Sequence, residues 1–554
     1  MTAKEPTARQ QEPIFSDQAD PTPARAALLA GGALLLMAFV VRLGMWHVRW
    51  GNANQVNDDG AYWAGALSLL EGKGFCLAWA PVDISMDRFP PGWSMLLVAV
   101  LRIFGTGWEG ILGGQVLVLM LWGATLAVAF HWAAGARFWP WWSVGPGLAL
   151  LAVNPLIIEN SGSLISEALF SLLLMVAFVL WTRVQDGPHM AALGLILGYA
   201  FITRYAALPL LGMAFIHTVR SRRLGAWPFV LGAVLPIGFW GLWWWAFKST
   251  GYVSQIAYWT QGDVAFRLGS LGLSFARSFL QAVPSLLLPG VYFARFPELT
   301  PLPLGSPALI VLALILDATL VTLLVLGWRR SRLPGTLGLG IAAYVLMVTI
   351  WQAGFLNLAE HLPLRLLQPV LPLLVVVIAA EAVVQARRLS GPWRLILPAL
   401  LVLQAVAFVD GVRGAERMQP YIKAMMFFHE ITQDRLADEV RLLAPRGLLA
   451  SDSPGLLYQA TGRRTLSFSG VDPGIERAIL LDGVVALHVP LAIRPDLGPA
   501  QTWAGMTWLN GRMPGLLRKV HTTAGPASWY VVNQTVMQRW RKHLLLGDLR
   551  PNLR

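Results

Sequence analysis

The chain has 554 residues, of which 56% are hydrophobic and only 13% charged. A soluble domain carries roughly 25% charged residues, so a water-soluble fold of this composition would hold more apolar side chains than it could bury. The formal net charge of +13 does not point to nucleic acid: the basic residues cluster in short loops between apolar runs, and no basic groove interleaved with aromatics is present.

Taken in chain order, residues 1–25 are polar, Pro-containing and expected to be a disordered cytoplasmic tail. They are too long and too mixed in charge for a signal-peptide n-region. No small-residue cleavage site closely follows the first apolar run, Ala26–Trp46, which reads as a retained anchor. Further apolar runs of membrane-spanning character lie near 109–131, 141–158, 164–182, 190–204, 206–219, 228–247, 307–328, 336–355, 363–385 and 394–410. The pair at 190–204 and 206–219 is short and fits either two spans or one re-entrant hairpin. Between them fall "RSRR" (Arg220, Arg222, Arg223), "WRRSR" (Arg329, Arg330, Arg332) and "ARRLSGPWR" (Arg387, Arg388, Arg394), which mark the cytoplasmic side. One more apolar stretch, Pro90–Gly105, is short and carries Arg102. A span there would move every later basic loop to the wrong side, so it is expected to be an interfacial helix opened by its double proline.

The expected fold is therefore a polytopic α-helical membrane protein of about eleven transmembrane helices. Residues 26–410 form the membrane domain, with a first outer loop at 47–108. An odd number of spans puts the C-terminus opposite the tail. Residues 411–554 are more polar and are expected to form a small periplasmic α/β domain, with "GLLASDSPGLLYQATGRRTLSF" reading as strand, loop, helix, turn, strand and "SWYVVNQTV" as a further strand. The single cysteine, Cys76, excludes an internal disulfide framework, and the 25 tryptophans suit interfacial belts and helix packing.

Parity brings four loops to the outer face: 47–108, the Glu159–Ser163 turn, 248–306 and Asn357–Pro363. The first contains "NDDGAYW", with Asp58, Asp59 and Tyr62. The pair reads either as the acidic N-terminus of an interfacial helix with no chemistry or, because a cap needs only one acid, as a cap together with a carboxylate kept ionised as a general base must be. Glu167, in "SGSLISEALF", either snorkels to the interface or serves function, because a carboxylate in hydrocarbon is costly unless paired. Arg204, in "GYAFITRYAALPLL", is suited to bidentate phosphate binding or to pairing with an acid. Arg365 either anchors a span at the interface or contacts the substrate, and His361 has no second ligand at metal spacing. Tyr252, Tyr258 and Trp259 are interfacial anchors or sugar-stacking rings.

The order of these segments resembles a known family. The acidic pair and tyrosine are followed by "LLEGKGF", "RFPPGWSMLL", "NPLIIENSGSLISEALFSLLL", "GLILGYAFITRYAALPLL" and a late "LRLLQPVLPLL". This is similar to the GT-C glycosyltransferases, in the branch with protein mannosyltransferases and aminoarabinose transferases. The resemblance covers about residues 26–410, and "ASDSPGLLYQATGRR" extends it loosely into the tail. It implies a bacterial inner-membrane enzyme taking a sugar from a polyprenyl-phosphate donor to an envelope glycan, lipid or protein acceptor on the periplasmic face, with inversion. It further implies Asp58 as general base, Asp59 and Glu167 as supporting acids, and Tyr62, Arg204, His361 and Arg365 at the substrates. It fixes no cofactor and leaves a divalent metal open, which would fall to Asp58 and Asp59. Two other readings are a lipid-linked-sugar flippase, which would show inverted repeats that are absent here, and a non-catalytic scaffold for envelope assembly.

Overall fold

In a computed structural model, the described residues run with short breaks through 58–246, 307–355 and 364–388, with isolated positions between 29 and 40 and short segments between 438 and 538. The tail, most of the first expected span, the turn at 159–163, the loop 248–306 with its three aromatics, Glu360, His361 and the last expected span lie outside them. The chain is mainly helical. The described helices are α1 Asp58–Leu70, α2 Gly92–Phe104, α3 Trp108–Gly135, α4 Trp141–Ala152, α5 Glu167–Arg183, α6 Gly187–Thr203, α7 Leu208–Ser221, α8 Trp227–Ala246, α9 Pro307–Arg330, α10 Gly335–Phe355, the short α11 Leu364–Leu367 and α12 Leu371–Arg388.

Among the described residues, Glu109–Ala134 is the one helix long and apolar enough to cross a membrane by length and composition. Its 26 residues extend about 39 Å, more than the ~30 Å hydrocarbon layer. The expected interfacial segment forms α2, whose C-terminal residues Arg102, Ile103 and Phe104 are exposed while Trp93 and Leu97 are fully buried. The two short runs at 190–219 form separate helices, α6 and α7, interrupted at Arg204 by extended backbone and a single 3-10 turn, Tyr205–Ala207.

The helices bury one side and leave the other apolar. On α8, Phe229, Ala233 and Trp240 are buried, whereas Trp227, Leu231, Leu235, Leu242 and Trp245 are largely exposed. Positions 227, 231, 235 and 242 recur at helical spacing, so the exposed residues form a continuous apolar stripe. Such a stripe suits lipid and would be a liability in water. The buried side packs against α6, where a Cβ at Gly194 would stand 2.0 Å from the Phe229 carbonyl oxygen. Only glycine permits that crossing, the small-residue contact typical of helices packed in membranes.

The far ends of α9 and α12 are joined by ions. Arg330 donates from Nε to Glu381 Oε2 at 2.7 Å and from Nη2 to Oε1 at 3.2 Å, and Gln385 also donates to Oε1. Glu381 is only 1% exposed. The bidentate fork and the amide together replace the water that the carboxylate loses.

The C-terminal segments form a five-stranded sheet in the order β2-β1-β3-β5-β4. The strands are β1 Leu448–Ser451, β2 Thr465–Ser467, β3 Val484–Val489, β4 Leu517–Val520 and β5 Ser528–Val532. β1 runs parallel to both β2 and β3, and β5 is antiparallel to β3 and β4. Arg463 donates to the carbonyls of Ala444 and Gly447, pinning the turn before β2 to the start of β1.

Truncating Glu381 to Ala leaves the Arg330 guanidinium without its partner and should cost about 3–5 kcal/mol, seen as a lower melting temperature of detergent-solubilised protein. Replacing the pair together, Glu381→Leu with Arg330→Met, should recover most of that loss.

Candidate active site

The site is built where α5 begins and α6 ends. Glu167 is the first residue of α5 and is 1% exposed. A helix N-terminus does not by itself replace the hydration that a buried carboxylate loses. Arg204 supplies the counter-charge: its Nη1 lies 2.7 Å from Glu167 Oε1. The same nitrogen donates to Ser166 Oγ at 3.1 Å. Arg204 reaches both because α6 stops there. Its backbone is extended, with φ −151° and ψ 123°, so the side chain leaves the helix end instead of following the helical face.

Ser166 carries the network across to α1. Its Oγ is 3.0 Å from the hydroxyl of Tyr62. Ser166 occupies the capping position of α5, where its carbonyl accepts from the Phe170 amide at 2.9 Å. A serine there ordinarily caps its own first turn with its hydroxyl; here the hydroxyl is spent between helices. Tyr62 is 3% exposed, and its ring meets Phe89 edge-on at 5.2 Å. Asp58 and Asp59 open the same helix, with Asp58 one turn before Tyr62. The side chains of Asp58, Asp59 and Arg365 lie outside the described residues, as does the whole of His361.

Three consecutive residues at the start of α2 hold these parts in register. Gly92 lies against the end of α6, where a Cβ would stand 2.7 Å from Thr203 Oγ1 and 2.8 Å from the Ile202 carbonyl oxygen. Its own carbonyl accepts from the Tyr199 hydroxyl at 3.0 Å. Trp93 donates from Nε1 to the Leu164 carbonyl at 2.7 Å, two residues before Ser166. Ser94 donates to the Tyr62 carbonyl at 2.9 Å. Gly92, Trp93 and Ser94 thus touch α6, the approach to α5, and α1 in turn. On the remaining side Tyr344 of α10 is fully buried, with its ring 6.1 Å from that of Phe170 and its hydroxyl donating to the Leu366 carbonyl at 2.5 Å.

The structure therefore brings Tyr62, Glu167 and Arg204 into one network. Sequence reasoning missed Ser166, Trp93, Ser94 and Tyr344; "RFPPGWS" and "SLISE" contain the first three but bear no chemical signal of partnership. Among the described residues no group of three His, Cys, Asp or Glu side chains is gathered as metal ligands would be. The loop after α1 also meets the C-terminal part. Lys73 and Glu71 form an exposed ion pair, and Tyr458 packs partly buried against the helical core. Burial and the nearby Glu71 carboxylate both hold the Tyr458 hydroxyl above its usual pKa.

No family model and no curated protein matches the chain. Several solved structures are similar to the chain over most of its length. ArnT from Cupriavidus metallidurans bound to undecaprenyl phosphate overlaps 90% of this chain and 98% of its own, with TM-score 0.49 and 12% identity. The Archaeoglobus fulgidus oligosaccharyltransferase overlaps 91% of this chain and 73% of its own, with TM-score 0.43 and 13% identity. The arabinofuranosyltransferase AftD from Mycobacteria matches 90% of this chain, which spans 40% of the AftD chain, with TM-score 0.40 and 12% identity.

Gly92→Ala should cost about 1–3 kcal/mol through overpacking against Ile202 and Thr203, measured as a lower melting temperature. Trimming Thr203 to Ala should recover only part of the loss, because the Ile202 carbonyl oxygen at 2.8 Å stays in place.

Proposed function

We propose that this protein is a membrane glycosyltransferase that moves a sugar from a polyprenyl-phosphate carrier to an envelope lipid, glycan or protein on the periplasmic face, with inversion. The observation that supports this most strongly is the buried Glu167–Arg204 pair tied through Ser166 to Tyr62, one turn from the acids that open α1. A buried cation, buried polar groups and the start of the helix that carries Asp58 and Asp59 lie at one end of an apolar bundle, where a lipid phosphate and a polar acceptor could both be reached. The apolar stripe of α8 suits a lipid surrounding. The ordered sequence motifs of a polyprenyl-phosphate-dependent family add to the same reading.

The chemistry asks for two things. The acceptor hydroxyl must lose its proton as it attacks the anomeric carbon, and the leaving phosphate must be met by cationic donors as its charge grows. Asp58 takes the proton, kept ionised by the N-terminus of α1, and Asp59 supports it or shares a metal. Glu167 fixes Arg204, whose planar fork suits phosphate oxygens, and Arg365 and His361 complete the substrate contacts. A single displacement inverts the anomeric centre and needs no carboxylate nucleophile. In this scheme the basic ends of α9 and α12, with Arg329, Arg330, Arg387 and Arg388, face the cytoplasm and the α1–α2 loop faces the periplasm.

Asp58→Asn should lower sugar transfer by about 10²–10⁴ with the protein still in the membrane, and Asp59→Asn should lower it less. The check is the sugar content of the envelope in cells whose only copy carries the variant, with membrane level read by immunoblot. Normal transfer by Asp58→Asn would remove Asp58 as the base.

A further inference from the structure

We infer that Ser166 is a positioning residue that sets the geometry of Arg204 toward a lipid phosphate by joining it to Tyr62; the inference rests on the polyprenyl-phosphate reading above. Ser166 is fully buried and its hydroxyl has two partners on two other helices. Arginine carries no acceptor, so at 3.1 Å the Nη1–H donates and the serine oxygen accepts. The serine proton is then available to the Tyr62 oxygen, or the tyrosine proton takes the second serine lone pair; both directions complete the link.

The link restricts Arg204 in a way that the ion pair alone does not. Nη1 stands 2.7 Å from Glu167 Oε1 as an ion pair, and its directional hydrogen bond goes to Ser166 Oγ. Charge attraction alone would let the guanidinium plane swing about the carboxylate. The bond to Ser166 restricts that swing. Ser166 and Glu167 are neighbours in the chain, so both move as one unit with the start of α5. Tyr62 sets that unit against α1, held in turn by Ser94 on its backbone and Phe89 on its ring. The hydroxyl thus couples the helix that begins with Asp58 to the cation proposed for the phosphate, two groups that must keep a constant separation during transfer.

The test uses the full chain in lipid nanodiscs and undecaprenyl phosphate alone as the probe, with affinity measured by native mass spectrometry. Ser166→Ala should bind about tenfold more weakly at nearly unchanged melting temperature. Ser166→Thr, which keeps the hydroxyl, should bind close to wild type. Tyr62→Phe should weaken binding in the same direction, and adding it to Ser166→Ala should cost little more, because both remove one link. Wild-type binding by Ser166→Ala and Tyr62→Phe, or fully additive losses, would overturn the inference while leaving the polyprenyl-phosphate reading intact. Should Ser166→Ala fail to fold, Tyr62→Phe decides: weaker binding supports the inference and unchanged binding overturns it. A wild-type protein that does not bind the probe would overturn the functional reading itself, and this inference with it.

Discussion

The carboxylate of Glu167 starts a helix inside a bundle, with almost no access to water. Stripped of hydration, such a group costs several kcal/mol unless a cation and hydrogen bonds replace what it has lost. Arg204 supplies the cation at 2.7 Å, and much of the surrounding architecture can be understood as what is needed to bring it there. α6 must end at residue 204, its last peptide must turn extended, and α7 must begin after a short 3-10 turn. The close approach at Gly92 and the bonds from Trp93 and Ser94 then hold α1, α5 and α6 at one separation. An ion pair that would be a liability in the middle of a bundle becomes affordable at its end, where the helix dipole of α5 and the Ser166 hydroxyl add to it.

The two ends of the bundle use the same physics for different purposes. At the far end Arg330 and Glu381 form a closed bidentate pair capped by Gln385, and nothing there suggests more than a tie between α9 and α12. At the near end Nη1 of Arg204 is shared between a carboxylate and a serine, and the serine continues to a tyrosine on a third helix. A closed pair holds helices together. A branched network additionally fixes the direction of a guanidinium, which matters when a group has to meet a phosphate.

Much of this was legible in the sequence. The apolar runs at 109–131, 228–247 and 336–355 correspond to the helices α3, α8 and α10, and of these, among the described residues, α3 is the one long and apolar enough to cross a membrane. The segment at Pro90 was readable as a separate short helix from charge parity alone. The costliness of Glu167 and Arg204 in apolar sequence was also visible, and pairing with an acid was one of the two readings open for Arg204. Their partnership was not, since 37 positions separate them and nothing local announces it. The break in the 363–385 run, where α11 and α12 are divided by a turn at Gln368–Val370, falls at Pro369, whose ring disfavours helix at the residue before it. Ser166 was hidden for a different reason: a serine before a helix reads as a cap, and only its tertiary neighbours show that its hydroxyl is used elsewhere.

The account centres on sugar transfer from a lipid phosphate, and the most direct measurement is mass spectrometry of the cell envelope and of its polyprenyl-linked sugars, with and without the gene. It predicts that removing the gene abolishes one sugar substituent on an envelope lipid, glycan or protein, and that the matching polyprenyl-phosphate-linked sugar accumulates. An envelope and a lipid-linked sugar pool that are both unchanged would contradict it.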